Sequence, residues 1–264
     1  MLGVFAKFWE AGKVKTRLAC DTNNQFAAEV YQTFILSTLQ RVSDIAESQV
    51  LCVTPAERLA DFALVTPPNW TITSQSDGDL GERMNAFFQQ AVECQFEKTV
   101  LIGTDSPTLP VDMIQKAFEA LEVVDCVIGP ALDGGYYLVG CQQQVPPIFE
   151  GIRWSSDKVL AQTIEALLGA GYSYELLPPW FDVDTIEDLR ELRESRNDSS
   201  QWLHQRLDEL EAEHLARGEH ADARRELHDG RGAPVGEDGA DGAGGDGSDG
   251  HDGAAERATL VTST

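Results

Sequence analysis

The chain has 264 residues, 42% hydrophobic and 24% charged, with 20 Lys+Arg against 44 Asp+Glu and a formal net charge of −24. That length suits one or two domains with an ordinary apolar core, and no run approaches the roughly 20 apolar residues of a membrane span. So acidic a surface repels nucleic acid and anionic membranes, which need a basic face, and a soluble cytoplasmic protein is expected.

Met-Leu-Gly-Val-Phe-Ala-Lys at the start is too short for a signal peptide and lacks its small-residue cleavage site, so it reads as a strand over 2–6. Further strands are predicted at 50–54, 71–74, 99–103, 126–129, 136–140 and 174–177. Helical patterns lie between them at 24–44, 55–64, 80–95, 110–122, 156–169 and 185–195. Alternation of strand and helix, with near-continuous apolar strands such as Val100-Leu101-Ile102, predicts an α/β domain over 1–197. Its architecture is three-layer α/β/α, with a mostly parallel sheet covered on both faces. A last helix, 198–217, is charged nearly all round and suits loose packing or a partner. The composition then breaks. Residues 218–264 hold 11 of the 23 Gly, with 11 Asp+Glu against 4 Arg, and are expected to form a disordered acidic tail able to recruit a basic protein partner.

Two residue types narrow the chemistry. The five Cys have neither a CxxC nor a short spacing, which predicts buried reduced thiols rather than a disulfide framework or zinc cluster. All five His lie at or beyond His204, so no histidine triad, Cys–His pair or HExxH site can operate in the main domain. Catalysis there must rest on Asp, Glu, Lys, Arg, Tyr and hydroxyls, and any metal on oxygen ligands, which favours Mg²⁺ or Mn²⁺.

In an open α/β sheet, ligands bind beyond the carboxyl ends of the strands, and polar signatures follow four of the strands here. After the first comes a loop with Lys7, Gly12, Lys13, Lys15, Thr16 and Arg17, holding three of the six lysines and four cations against Glu10. Cations and backbone N–H groups around a glycine suit an anionic phosphate chain; the alternative is a solvated basic turn. If these like charges sit together they repel, so removing Lys15 is expected to preserve or raise the stability of the empty protein. Gly103-Thr104-Asp105-Ser106-Pro107 follows the most apolar strand, and Asp105 there either meets a ligand or caps the next helix. Asp133-Gly134-Gly135-Tyr136-Tyr137 lies between two strands and also fits an ordinary turn. In Asp182-Val183-Asp184-Thr185, the carboxylates suit a divalent ion, while Asp184 or Thr185 equally suits a helix N-cap.

Together with Asp79-Leu80-Gly81-Glu82-Arg83-Met84 and Ile152-Arg153-Trp154-Ser155, these motifs resemble the DUF2064 family over residues 1–195. That family is also called the radical-SAM/selenodomain-associated transferase 1 family. It belongs to the nucleotide-diphospho-sugar transferase superfamily with the GT-A fold, alongside 2-phospho-lactate guanylyltransferases and molybdenum-cofactor nucleotidyltransferases. The chain departs from the pattern at Phe8-Trp9-Glu10-Ala11, where the family usually carries prolines.

The resemblance implies a metal-dependent transferase with a nucleotide donor and a small-molecule acceptor. Asp105 would hold Mg²⁺ or Mn²⁺ with Asp184 as the other carboxylate and Asp182 as second choice. Lys7, Gly12, Lys13, Lys15, Thr16, Arg17 and Arg83 would bind the nucleotide, with Asp105 and Lys15 as the catalytic pair. Asp133, Gly134, Gly135, Tyr136 and Trp154 would line the acceptor pocket. The reaction expected is nucleotidyl transfer from a nucleoside triphosphate to a phosphate- or carboxylate-bearing acceptor. The alternatives are glycosyl transfer from a nucleotide-sugar and a non-catalytic nucleotide-binding or scaffold role.

Overall fold

The computed structural model describes residues 1–195 and 200–229. In chain order the elements are β1 (Leu2–Lys7), α1 (Thr16–Asp21), α2 (Asn24–Arg41), β2 (Gln49–Thr54), α3 (Leu59–Ala63), β3 (Thr71–Ser74), α4 (Leu80–Glu93) and β4 (Lys98–Ile102). There follow α5 (Val111–Ala120), β5 (Cys126–Pro130), β6 (Tyr136–Gln142), α6 (Val159–Ala170), β7 (Tyr174–Leu176), α7 (Ile186–Glu194) and α8 (Gln201–Asp229). The seven strands form one sheet in the order β3-β2-β1-β4-β6-β5-β7. Every neighbouring pair is parallel except those made by β6, which runs against β4 and β5. This is the expected three-layer α/β/α domain.

Strand alternation splits the core into two layers. Leu2, Val4, Val100 and Ile102 face one side and pack with Phe34, Ile35 and Ile114 of α2 and α5. Leu101 and Val139 face the other, among Met84, Phe88 and Phe149. At Gly3 a Cβ would fall 2.2 Å from Cζ of Phe87, so the absence of a side chain lets that ring lie on the sheet.

The chain divides after Glu219, and Met1–Glu219 form the first, compact unit. In the first, α8 buries Leu203, Leu207 and Leu210, and Arg193 of α7 pairs with Asp208 at 2.6 Å and with Glu211. The last helix, expected to pack loosely or to bind a partner, is therefore docked; its apolar stripe is narrow and hidden among charges in the sequence. Helix α8 also continues through the compositional break at Gly218 to Asp229, so the first residues of the expected disordered tail are helical. Residues 219–228 are rich in Ala, Glu and Arg, which favour helix, and the glycine run starts only at Gly230. The rest of that tail, 230–264, lies outside the described residues. Among the described residues no helix is long and apolar enough to cross a membrane.

Candidate functional site

The carboxyl ends of β1, β2 and β4 share one edge of the sheet. Because β6 is antiparallel, its start lies there too, with Ile102 opposite Leu138. Four sequence-distant segments thereby meet: the loop after β1, the loop after β4, the β5–β6 turn and the segment before α7.

The loop after β1 turns at Gly12, whose φ is +81°, and is held by Lys7, whose Nζ donates to the Lys13 carbonyl at 2.7 Å. Aromatic packing holds the loop at Phe8 and Trp9. Phe8 lies 4.7 Å from Trp9, Trp9 lies 5.0 Å from Phe62, and the Arg58 guanidinium sits 3.5 Å from the Phe8 ring centre. The loop ends at Lys15, which starts α1 with a left-handed backbone (φ 44°, ψ 46°) and no side-chain cap. A non-glycine residue in that conformation costs on the order of 1 kcal/mol, and such strain clusters at functional sites.

What the strain accompanies is an ion-pair centre. The Lys15 ammonium donates to Oδ1 of Asp105 and, at 2.8 Å, to Oδ1 of Asp184. Its side chain is 3% exposed, while those of Asp105 and Asp184 are 51% and 41% exposed. Burial alone would push the Lys15 pKa down, but Asp105 and Asp184 outweigh it and hold the pKa above the usual lysine value. Arg17 stands 3.8 Å from Oδ2 of Asp184. Here Lys7 and Lys15 each have partners that offset the repulsion between them. Lys15 is taken up by two carboxylates and Lys7 by a carbonyl, so removing Lys15 is expected to lower the stability of the empty protein, not raise it.

Each carboxylate is fixed from behind. Arg41 of α2 donates to the carbonyls of Pro107 at 2.6 Å and Leu109 at 2.9 Å, clamping the loop that carries Asp105. The N-cap of α5 is Pro110, so Asp105 is not a helix cap. Thr185, not Asp184, caps α7 in a reciprocal box with Asp188, which also accepts from the Asp184 N–H at 3.0 Å. The Val183 N–H donates to the Asp105 carbonyl at 2.9 Å and ties the two segments together.

Asp182 is placed differently. It accepts from Ser106 Oγ and sits in a buried position that pushes its carboxyl up to about 6, with Ser106 opposing and Asp105 and Asp133 adding to the rise. Lys13, Thr16 and Asp133 are exposed, and Oδ1 of Asp133 accepts from the Gly135 N–H at 2.9 Å to close the turn. Trp154 meets Tyr136 edge-on at 6.4 Å. Arg83 braces the start of α4, donating to the Gly78 carbonyl at 2.9 Å and to Gln75 at 3.3 Å.

Beside the ion-pair centre is a cavity of about 280 Å³ lined by Lys7, Thr54, Gln75, Asp105, Tyr136 and Tyr137, with Phe5, Leu80 and Met84 among its apolar walls. Tyr31 also lines it; its ring lies 5.7 Å from the Lys15 ammonium, and its hydroxyl accepts from the Lys7 N–H at 3.2 Å and hydrogen-bonds Thr104 at 2.9 Å. Burial, with Asp105 adding, pushes the Tyr31 phenol up to about 12. Sequence reasoning passed over Tyr31 and Gln75. Tyr31 is hidden inside the apolar periodicity of α2, and nothing sets Gln75 apart from a surface residue just past β3.

The donor set fits a hard divalent cation in part. Asp105 and Asp184 already converge on one cation, the Lys15 ammonium, and both remain partly exposed. Asp182 is committed to Ser106. Among the described residues no group of three or more His, Cys, Asp or Glu is placed to hold a metal. Two carboxylates completed by substrate phosphates are nonetheless an ordinary environment for Mg²⁺.

Comparison with known proteins agrees with the fold. Residues 38–156 match the family described as "Uncharacterized protein conserved in bacteria (DUF2064)". A candidate nucleotide-diphospho-sugar transferase from Desulfovibrio desulfuricans G20, known by its crystal structure, is 36% identical, with a TM-score of 0.76. The match covers 81% of this chain and 96% of that one. The 4-diphosphocytidyl-2C-methyl-D-erythritol synthase of Anaerococcus prevotii DSM 20548 shares the fold at 11% identity and a TM-score of 0.50, over 72% of this chain and 93% of its own. No curated protein matches the sequence.

Proposed function

We propose that this chain, which belongs to the DUF2064 family and has the fold of a nucleotide-diphospho-sugar transferase, is a nucleotide-dependent transferase acting at the Lys15–Asp105–Asp184 centre. The observation that carries this reading is the burial of one ammonium between two carboxylates, with Arg17 alongside, at the ligand-binding edge of the sheet. Phosphoryl-type transfer needs positioning and charge neutralisation more than a strong base, so a centre without histidine suffices.

In our reading the donor is a nucleoside triphosphate and the acceptor a small molecule bearing a phosphate or carboxylate. Such an acceptor is already an anion at neutral pH and needs no general base. Its oxygen bonds to the α-phosphorus, the bond from that phosphorus to the β-phosphate oxygen breaks, and pyrophosphate leaves. Lys15, Arg17 and Lys7 neutralise the donor phosphates, with Gly12, Lys13 and Thr16 supplying loop backbone. Asp105 and Asp184 would hold Mg²⁺ or Mn²⁺, which supplies further charge neutralisation when bound. Tyr136, Trp154 and the Asp133-Gly134-Gly135 turn form the acceptor side, while Arg83 holds the wall between them. The five free cysteines suit a reducing, cytoplasmic location.

The name of the Desulfovibrio relative favours a second reading, glycosyl transfer from a nucleotide-sugar. The two differ in product. Phosphorus NMR of the full chain with diamagnetic Mg²⁺, a donor and a panel of phosphorylated and carboxylated acceptors is expected to show pyrophosphate from a triphosphate. A nucleoside diphosphate released from a nucleotide-sugar instead would establish the second reading, and tight binding without either product would make the protein a binder only.

A further inference from the structure

The same centre has a property that reaches past the reaction type. Lys15 occupies the place between the carboxylates that a metal would need. Its nitrogen contacts one oxygen each of Asp105 and Asp184, and the side chain is almost wholly enclosed. A divalent ion of this class sits about 2.0–2.2 Å from its carboxylate oxygens. An ammonium and a dication cannot share those oxygens, since like charges so close repel strongly at low dielectric.

We propose that Lys15 is a resident counter-cation that keeps the carboxylate pair closed to metal until a polyphosphate arrives to receive its ammonium. This rests on the metal-dependent reading above. Three observations support it. Among the described residues no third acidic ligand is placed to favour a metal over the lysine. The carboxylates are half exposed, so an incoming ion and the donor phosphates reach them from solvent while Lys15 is held from within. Finally, the Tyr31 and Phe34 rings lie 5.7 and 5.8 Å from the ammonium and give it a favourable seat in the empty protein. The device prevents futile loading by free metal and makes metal and nucleotide binding mutually reinforcing, because whatever removes the ammonium helps both.

The test uses Mn²⁺ alone, without nucleotide, and counts free ion by its paramagnetic resonance signal in the presence of the full chain. Lys15→Met is expected to bind Mn²⁺ at least tenfold more tightly than wild type. Arg17→Met removes a nearby charge of the same sign that does not sit between the carboxylates, and is expected to tighten binding less than threefold. If the Met variant fails to fold, Lys15→Gln carries the same comparison. Equal tightening by the Lys15 and Arg17 variants, or no tightening at Lys15, overturns the proposal while leaving the metal site standing. If Lys15→Met with Asp184→Asn binds Mn²⁺ as tightly as Lys15→Met alone does, the metal site itself is misplaced and both readings fall.

Discussion

Asp105→Asn is expected to weaken Mn²⁺-dependent binding of a nucleoside triphosphate by about 100-fold or more, roughly 2.7 kcal/mol, and to leave the protein folded. The amide removes one of two carboxylates proposed to hold the ion and one of two partners of Lys15. Folding survives for local reasons: the Asp105 side chain is half exposed, Lys15 retains Asp184, and the Asp105 loop is clamped independently by Arg41. Since Pro110 caps α5, the substitution removes no helix cap. Titration calorimetry with Mn²⁺ and triphosphate, beside a urea melt, separates the effects. Unchanged affinity would make Asp105 a structural partner of Lys15; lost affinity with an unfolded chain would make it a stability residue.

Gly134→Ala is expected to cost about 2–4 kcal/mol of stability, a large effect for one methyl group. Gly134 turns between β5 and β6 with φ +92°, a conformation alanine adopts only under strain. A Cβ there would also meet the backbone carbonyl oxygen of Asp157 at 2.3 Å. That contact involves two main-chain segments, and the Gly134 carbonyl also accepts from the Leu160 N–H at 2.9 Å, so neither segment can shift freely. A denaturant midpoint that falls clearly, together with loss of acceptor-dependent turnover, is the expected pair of results. A near-neutral midpoint would show the β5–β6 turn to be loosely seated and a poor acceptor wall.

The fold is legible because short apolar runs such as Val100-Leu101-Ile102 alternate with longer amphipathic helical stretches. Helix α1 is not legible in the sequence: it is six residues long and its N-cap, Lys15, makes no side-chain cap bond and has a left-handed backbone. The end of α8 is hidden for the opposite reason: residues 219–228 share the acidic, apolar-poor character of the segment past Gly218, yet are themselves rich in helix formers. At the candidate site, residue identity marks loops that the fold brings to one sheet edge but not the pairings between them. Nothing in Lys7…Lys15 reveals that one lysine is enclosed by carboxylates 90 and 169 residues away while another rests on a carbonyl. Such pairings are fixed by topology. The antiparallel insertion of β6 brings Tyr136 to the same edge as Asp105, and the Val183–Asp105 hydrogen bond brings Asp184 there.

In our reading this edge of the sheet binds a nucleotide through its phosphates together with a metal. The melting midpoint of the full chain, read across nucleoside mono- and triphosphates and nucleotide-sugars with and without Mn²⁺, tests it most directly, because a ligand at 100 times its Kd adds about 2.7 kcal/mol to stability. The midpoint is expected to rise with a triphosphate plus Mn²⁺, to rise little with the matching monophosphate, and to stay level when the metal is withheld. A midpoint unmoved by every nucleotide, or raised equally by mono- and triphosphates without metal, would contradict it.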